Sequence, residues 1–364
     1  MGIKLSCIQN NAVTALAIAA SVTACATAPG DAPALGSSAD EIIGGFSATS
    51  AKLNAVGAIG LANGDGSFAP FCSGTLISPT MVLTAKHCVS SHDPTQLAFL
   101  IGPRAASPIE VVPGRGAAVE PTVTGGLIDF GFDVGILHLA AAVADVTPLP
   151  TGTLTSDLIG TRMVDLGYGV QTTDLTSGTR RSGSMTLKAT GGAVFAAMFG
   201  SFEDFLQDGA ARLFPGLDPN NPSQLALLQA QYDDTLLLDG IEAWAGGISG
   251  DAQACTGDGG GPLTAKVGTQ LTVFGVSSWG FGSNATCTLD GSAFAAMTAI
   301  SLDFVDYETH CPLVPRTGTC DGTVAIRCAA ANEGGRRVLS TDCADLDQVC
   351  GLDDTGAVGC IDGP

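Results

Sequence analysis

The chain has 364 residues, which is enough for two or three domains and a sizeable buried core. Its 15 lysine and arginine residues against 35 aspartates and glutamates give a formal net charge of −20, which excludes nucleic acid as a partner because phosphates would be repelled. Hydrophobic residues make up 45% and charged residues 14%, which excludes general disorder, and 49 glycines favour a loop-rich β protein over a helical bundle.

Residues 1–24 have the pattern of an export signal, with one basic residue ahead of a short Ala-rich apolar stretch. The stretch ends in VTAC at 22–25, which resembles a bacterial lipobox, so that Cys25 would carry a lipid and attach the protein to a membrane. The alternative is ordinary cleavage at the A-x-A-like sequence ACA at 24–26. Residues 25–41 are rich in Ala, Pro, Ser and Asp and are predicted to be a flexible tether or pro-segment. We expect export from a bacterial cell, as an outer-membrane or cell-surface lipoprotein or as a secreted protein.

The cysteine content supports export. Of the 12 cysteines, Cys7 belongs to the predicted signal and Cys25 is the predicted lipid site. The other cysteines are even in number, which is typical of a protein with disulfides in an oxidising compartment. The sequence contains no Cys-x-x-Cys pair, and its histidines lack the H-E-x-x-H spacing of a zinc site. We therefore expect neither a metal ion nor another cofactor.

Short apolar strands alternate with Gly, Pro and Asp turns from residue 42 to residue 311, which predicts an all-β barrel or sandwich. Examples are GTLI at 74–77, MVLT at 81–84, VGILHL at 134–139 and LTVFGV at 271–276. Residues 193–206 and 224–238 instead carry helical spacing of apolar residues around a Pro-rich loop. The pattern predicts a helical insertion over about 193–240, whose apolar face belongs to the core.

The last part of the chain, residues 312–364, is predicted to be a small Cys-rich β module. Residues 322–343 and 348–361 each have the pattern of two strands joined by a turn. Together with Cys311 at its boundary the module has six cysteines, which allow 15 pairings, and the sequence does not choose among them. The module either binds a surface or a partner, or it is an appendage that stabilises the protein.

Seven short motifs follow one another between residues 42 and 310. They are IIGG at 42–45, CSGTLI at 72–77, LTAKHC at 83–88, DVGIL at 133–137, GYG at 167–169, CTGDGGGPL at 255–263 and SWG at 278–280. In this order they resemble the trypsin/chymotrypsin family of serine proteases. The resemblance implies a protease domain over 42–311 with two antiparallel six-stranded β-barrels and an active site in the cleft between them. The helical insertion and the Cys-rich module would be additions to this chymotrypsin-like, all-β fold.

The resemblance assigns roles to two side chains of the cleft. His87 would be the general base, and Asp133 would orient its imidazole and stabilise the charged form. The resemblance also implies a disulfide Cys72–Cys88 beside the histidine and a disulfide Cys255–Cys287 between the walls of the substrate pocket.

The position of the nucleophile departs from the family pattern. The family has Gly-Asp-Ser-Gly-Gly-Pro where this chain has GDGGGP at 257–262, so that Gly259 replaces the serine. Glycine has no hydroxyl that can attack a carbonyl. Thr256 lies in the wrong register to replace the serine, and Ser277 and Ser278 belong to the strand expected to line the substrate. Loss of the nucleophile in a comparable protease lowers turnover by about 10⁶, which outweighs the motifs that remain.

Other parts of the implied apparatus persist. The N–H groups of Gly257 and Gly259 would form an oxyanion hole. The substrate pocket would include Gln253, Ser278, Trp279 and Gly280. Gln253 would lie at its floor, where a neutral amide gives no charge to attract lysine or arginine. Gly280 would leave one wall open, and the residue opposite is either Gly291 or Ser292.

Activation in the family depends on a chain cut. Cleavage after Glu41 would free the amino group of Ile42, which would pair with Asp258. The usual basic residue is missing before the cut, so that either an acid-specific protease acts there or the chain stays uncut. If Cys25 carries a lipid, this cut would release the protease domain from the membrane.

Two functions follow from these residues. The first is an exported serine protease homologue, a pseudoenzyme that binds a peptide or protein without cleaving it. The alternative is an active serine-type endopeptidase that uses an unforeseen nucleophile, or water activated by His87 and Asp133. A third possibility is a structural surface protein in which the Cys-rich module is the working part.

Overall fold

The computed structural model describes residues 45–121, 132–170, 177–247, 250–283, 286–331 and 335–363. Within 282–290 it describes only backbone. The export signal and the tether predicted for residues 1–41 lie outside this part of the chain. Among the described helices, none has both the length and the apolar character that crossing a bilayer requires.

The described chain begins with a short strand and continues with six strands that close into a first antiparallel barrel. The strands are β1 (Phe46–Ser47), β2 (Val56–Ala62), β3 (Phe68–Ser78), β4 (Met81–Thr84), β5 (Leu97–Ile101), β6 (Glu110–Val119) and β7 (Gly135–Leu139). The order around the barrel is β2-β3-β4-β7-β6-β5. Side chains that alternate along the strands, such as Ile59, Leu76 and Phe99, fill its interior. A one-turn helix, α1 (Lys86–Val89), follows β4.

The second barrel is also antiparallel and closed. Its part of the chain contains β8 (Arg162–Gly167), β9 (Arg181–Ala189), β10 (Gly192–Ala193), β11 (Leu236–Leu237), β12 (Glu242–Ala245), β13 (Pro262–Val267), β14 (Gln270–Ser283) and β15 (Thr286–Ala296). The order is β9-β12-β15-β14-β13-β8, and pairing of β8 with β9 closes the ring, while β1 pairs with β9 outside it. The prediction of two six-stranded β-barrels is therefore confirmed.

A helical insertion lies between β9 and β12, and the pair β10–β11 closes its base. Its helices are α2 (Val194–Phe199), α3 (Phe202–Asp204), a π-helical turn (Phe205–Gly209), α4 (Ala210–Leu213) and α5 (Pro222–Asp234). The predicted helix over 193–206 is broken, because Gly200 adopts φ +86° and ends α2. The second helix begins at Pro222 because the Asn221 side chain accepts the N–H groups of the next turn, and residues 236–237 form β11 instead of helix.

The apolar face of the insertion packs onto the second barrel. Phe195 of α2 stacks on Phe281 of β14 with ring centroids 5.1 Å apart, and Phe281 also contacts Trp244 and Trp279. The insertion therefore shares its core with β14, the strand that carries the SWG motif at 278–280.

The C-terminal module begins after helix α6 (Ala299–His310). Its strands are β16 (Thr319–Asp321), β17 (Val324–Ala330), β18 (Arg336–Asp342), β19 (Val349–Leu352) and β20 (Val358–Ile361). The disulfides are Cys311–Cys328, Cys320–Cys350 and Cys343–Cys360, which settles the pairing that the sequence left open. The buried apolar residues of this module are few, so that covalent links replace much of a core.

The module is fastened to α6 by charged contacts. The guanidinium groups of Arg316 and Arg336 lie over the ring of Tyr307, at 4.7 and 5.4 Å from its centroid. Both arginines also pair with Asp303. These contacts place the module against the protease domain.

A buried arginine holds the N-terminal segment against the second barrel. The Arg180 side chain, just before β9, donates to the carbonyl oxygens of four residues and to the Asn54 amide oxygen. The four are Ala48, Ser50, Leu53 and Val56. Arg180 is fully buried, so these bonds replace water that the carbonyls have lost.

Candidate active site

The fold brings His87 and Asp133 together. His87 follows β4, Asp133 precedes β7, and β4 pairs with β7 from Met81 to Thr84. The Asp133 carboxylate accepts the His87 backbone N–H at 3.0 Å, and its other oxygen lies 2.8 Å from Nδ1 of the imidazole. These two contacts fix the ring so that Nε2 faces the cleft.

The environment of Asp133 keeps its carboxyl group ionised. Burial by itself would raise the pKa of Asp133, but the hydrogen bond and charge of His87 and the hydroxyl of Ser278 lower that pKa below its usual value. Ser278 Oγ donates to the carboxylate at 2.6 Å. Ser278, predicted to line the substrate pocket, thus contacts the Asp133 side of the pair. Its hydroxyl is engaged there and is not placed as a nucleophile.

Gly259 lies directly in front of the imidazole. A Cβ atom built on Gly259 would lie 2.7 Å from Nε2 of His87 and 3.1 Å from Cε1. The two glycines that follow cannot carry a side chain. A Cβ on Gly260 would lie 2.3 Å from the backbone oxygen of Ser73, and a Cβ on Gly261 would lie 2.3 Å from the backbone oxygen of Leu166. Of these three positions, only Gly259 has a backbone that admits a side chain once the imidazole shifts slightly.

The loop at 257–259 presents two backbone donors. The Thr256 oxygen accepts the Val170 N–H at 2.7 Å, and because a trans peptide directs its oxygen and N–H to opposite sides, the N–H of Gly257 points away from Val170. Within the described chain, neither the N–H of Gly257 nor that of Gly259 donates to a protein acceptor. Ser73 of the first barrel holds the loop by binding the oxygens of both glycines. Both N–H groups are therefore available to an acceptor from outside the described chain, which the predicted oxyanion hole requires.

The register of β14 and β15 decides which residue faces Gly280. Gly280 pairs with Ser292, so that Ser292 and not Gly291 stands opposite it. The Ser292 hydroxyl accepts the N–H of Ala254 at 3.1 Å. This contact joins the wall of the pocket to the segment that carries Gln253.

Gln253 is buried without hydrogen-bond partners. It is 1% exposed, and neither its Oε1 nor its Nε2 contacts a polar atom of the described residues. Its neighbours Ala252 and Ala254 pack in the core of the second barrel, so that the Gln253 side chain projects to the opposite side of this extended segment. A buried amide without hydrogen bonds is rare in folded proteins and costs stability, so Gln253 is an exception within the described core.

Sequence reasoning missed Glu242, whose carboxylate accepts a hydrogen bond from the side chain of Trp279. Glu242 Oε1 accepts the indole N–H of Trp279 at 2.9 Å, and Oε2 accepts the Leu238 N–H at 2.9 Å. Burial raises the pKa of Glu242. A single glutamate at the start of a strand carries no motif, so only the fold reveals that it links the insertion to the cleft.

Asp258 is buried beneath the same loop. Its carboxylate accepts the N–H groups of Gly169 at 2.7 Å and Cys255 at 2.9 Å. A second buried carboxylate, Asp165 of β8, is close enough for its own pKa to be raised by burial and by the charge of Asp258. Glu41 and Ile42, the predicted cleavage site, lie outside the described residues.

This carboxylate pair predicts a pH-dependent stability. Burial raises the pKa of Asp258 from 3.8 to about 6, so that between these values the folded protein holds a proton that the unfolded chain has released. Stability should therefore fall as the pH rises through this range. Asp165→Asn removes one of the two buried carboxyl groups, so it should raise the free energy of unfolding more at pH 7.5 than at pH 4.5. Urea unfolding at both pH values measures this difference, and an equal effect at both would contradict it.

Disulfide-bonded cysteines lie next to His87 and next to the loop at 257–259. Cys72 and Cys88 are bonded to each other behind His87. These three residues are close enough to suggest a metal site, but the disulfide consumes both thiols and leaves no thiolate ligand. Cys255 is also disulfide-bonded, whereas the side chain of Cys287 lies outside the described part of the chain.

Known proteins are similar to this chain in sequence. Residues 42–198 match the family model for trypsin. Mouse tissue-type plasminogen activator is 26% identical over 218 residues, which cover 58% of this chain and 35% of that protein. Bovine coagulation factor XII is 28% identical over 226 residues, which cover 58% of this chain and 32% of that protein. The chain thus spans about a third of the length of these curated relatives.

The two closed barrels and this match show that the chain contains a domain of the trypsin-like serine protease family, matched over residues 42–198. Its disulfides are consistent with an extracellular protein, since such bonds persist in oxidising compartments.

Proposed function

We propose that this protein is a pseudoprotease that binds a peptide or a protein segment in the cleft between its barrels without cleaving it. The observation that carries the proposal is the placement of Gly259, whose Cα faces the imidazole at the point where the family has its serine. The orienting carboxylate, the imidazole and two backbone donors remain around it. The site therefore keeps the means to hold a peptide group and lacks the atom that would attack it.

A second candidate function is slow hydrolysis by water. The intact contact between His87 and Asp133 and the two donors of the loop favour it, since these groups retain a residual part of the catalysis after a nucleophile is lost. The expected rate is roughly 10⁶ below that of a complete triad, so that binding dominates over turnover.

We expect the natural protein to retain peptides and return them intact. Immobilised protein is incubated with a library of synthetic octapeptides, and the retained fraction is eluted and sequenced by mass spectrometry. Retention should fall for the variant Trp279→Ala, because Trp279 follows Ser278, whose hydroxyl contacts Asp133. It should stay unchanged for Val267→Ala, an exposed residue at the end of β13. Cleaved peptides, or equal retention by both variants, would refute the proposal.

We propose further that the protein is exported and held at a membrane by a lipid on Cys25, until a cut after Glu41 releases it. The VTAC sequence at 22–25 and the disulfides support this proposal. Intact-mass analysis of protein from the expressing cells detects both the lipid modification of Cys25 and the cut after Glu41. A membrane form that begins at a lipid-modified Cys25 and a soluble form that begins at Ile42 are expected, and an unmodified N-terminus in the membrane form would oppose the lipid.

A further inference from the structure

We propose that a cavity between the first barrel and helix α6 binds a small apolar molecule that carries a primary ammonium group. The cavity measures about 320 Å³, which lies within the range of small-molecule sites in proteins. None of the residues assigned to the cleft lines it. The inference therefore concerns a second site and does not depend on the proposed function.

The walls of the cavity come from three separate parts of the chain. Strand β6 and nearby Pro121 form one wall, helix α6 forms the second, and the segment that leads into the C-terminal module forms the third. Most of the lining side chains are apolar or aromatic, and among them are Val119, Phe304, Tyr307 and Leu313. Such walls favour the transfer of an apolar group out of water.

The register of β6 and β7 directs Ala118 toward the cavity. Ala118 pairs with Ile136, and Gly116 pairs with His138, so that these four residues share one face of the sheet. His138 contacts Glu308 of α6 from that face. Ala118 therefore faces the helix, and its small side chain leaves room for a ligand.

Glu308 supplies the polar group of the cavity. The residue is 5% exposed, and its Oε2 lies 2.9 Å from Nε2 of His138 and accepts the Leu313 N–H at 3.0 Å. Its other oxygen, Oε1, accepts no hydrogen bond from the described residues and is not sealed from solvent. One oxygen of a nearly buried carboxylate is thus available to a donor that enters the cavity.

The charge of Glu308 is not offset by its histidine partner. Nδ1 of His138 is buried and has no hydrogen-bond partner among the described residues. A ring with protons on both nitrogens would bury this second N–H without an acceptor, so the geometry fits a neutral ring that donates from Nε2. The carboxylate therefore keeps its negative charge and favours a cationic donor.

The cationic residue of the lining, Arg316, is already paired. Its guanidinium binds the Asp303 carboxylate at 2.9 Å and lies over the ring of Tyr307. The net charge of −20 attracts cations to the protein as a whole. A ligand with a carboxylate would instead meet the like charge of Glu308, so that an ammonium group is the charged group that this cavity accepts.

Leu313 holds the third wall in an uncommon backbone conformation. Its φ is +60°, in the left-handed region that a leucine rarely adopts. The bond to Glu308 holds it there, together with contact at Gly116, where a Cβ would lie 2.5 Å from Cδ1 of Leu313. Strain of this kind persists only where the surroundings impose it, and it is typical of ligand sites.

The experiment compares three small molecules on the natural protein. 2-Phenylethylamine is cationic, 2-phenylethanol is neutral and phenylacetate is anionic, and all three carry the same apolar ring. Ligand-observed NMR titrations measure their dissociation constants. The amine should bind more tightly than the alcohol by a factor of about ten or more, because a hydrogen bond between two charged groups is the stronger one. Phenylacetate should not bind.

Two variants locate the site. Ala118→Leu fills the cavity and should abolish binding of the amine, whereas Ala62→Leu, the same change at the exposed end of β2, should leave it unchanged. Glu308→Gln keeps the size of the side chain and should remove the preference for the amine over the alcohol. Melting curves show which variants fold, and Ala118→Leu tests the location even where Glu308→Gln does not fold.

A third variant separates this cavity from the cleft. Trp279→Ala should leave binding of the amine unchanged, because Trp279 is not part of the lining. Equal binding of the amine and the alcohol by the natural protein would overturn the inference. Binding that Trp279→Ala removes and Ala118→Leu does not would overturn it as well, and neither result would affect the retention of peptides.

Discussion

The variant Gly259→Ser should hydrolyse fluorescently labelled casein at least 10⁴-fold faster than the natural protein. The added hydroxyl would stand beside an imidazole that is already oriented by Asp133 and opposite two backbone donors. Removal of the nucleophile from a comparable protease lowers turnover by about 10⁶, and the smaller figure allows for the slight movement of His87 that a Cβ requires. Release of fluorescence over time measures the rate.

Two controls separate this gain from contamination and from a general change in the fold. Adding His87→Ala to the Gly259→Ser variant should return the rate to background, because the hydroxyl then has no base. Gly216→Ser makes the same chemical change in the loop of the insertion, where a Cβ meets nothing within 4 Å, and should give no activity. A folded but inactive Gly259→Ser variant would show that the cleft no longer has the geometry of a protease.

The variant Arg180→Leu should lower the free energy of unfolding by about 4 kcal/mol or more. The guanidinium is fully buried and binds four backbone carbonyls and the Asn54 amide. A leucine removes all of these bonds, and within the described chain only the Ser50 and Val56 oxygens keep another donor, from the Leu53 N–H and the Tyr168 hydroxyl. Each buried group without a partner costs about 1–3 kcal/mol. A fall of roughly 10 °C in the melting temperature is expected by calorimetry.

A graded series tests this explanation. Arg180→Lys should recover part of the loss, because an ammonium group offers three donors in place of five. Arg327→Leu, an exposed arginine of β17, should change stability by less than about 0.5 kcal/mol. If Arg180→Leu behaved like Arg327→Leu, the N-terminal segment would not depend on this side chain.

The order of motifs was sufficient to predict the two barrels, because the motifs together carry the resemblance to a family with that fold. The same motifs identified His87 and Asp133, which lie 46 positions apart and meet only because β4 pairs with β7. They also identified Gly259 as the changed position. What the motifs could not show is that its backbone still admits a side chain while that of Gly260 does not.

Other features depend on contacts that no local pattern encodes. The disulfides of the C-terminal module follow from how its strands stack, and the residue opposite Gly280 follows from the register of two strands. Glu242 and Asp165 are single acidic residues within strands, and their burial beside other charged groups appears only when the sheet closes. The prediction of one helix over 193–206 was wrong because Gly200 adopts a positive φ, which ends the helix although the apolar spacing continues.

The most direct test of the account is labelling of the mature natural protein with a fluorophosphonate probe, which forms a covalent bond with an activated serine hydroxyl. Natural protein and the Gly259→Ser variant are exposed to the probe side by side and examined by gel fluorescence and intact mass. We expect a labelled variant and an unlabelled natural protein. Labelling of the natural protein at any residue of the cleft would contradict it.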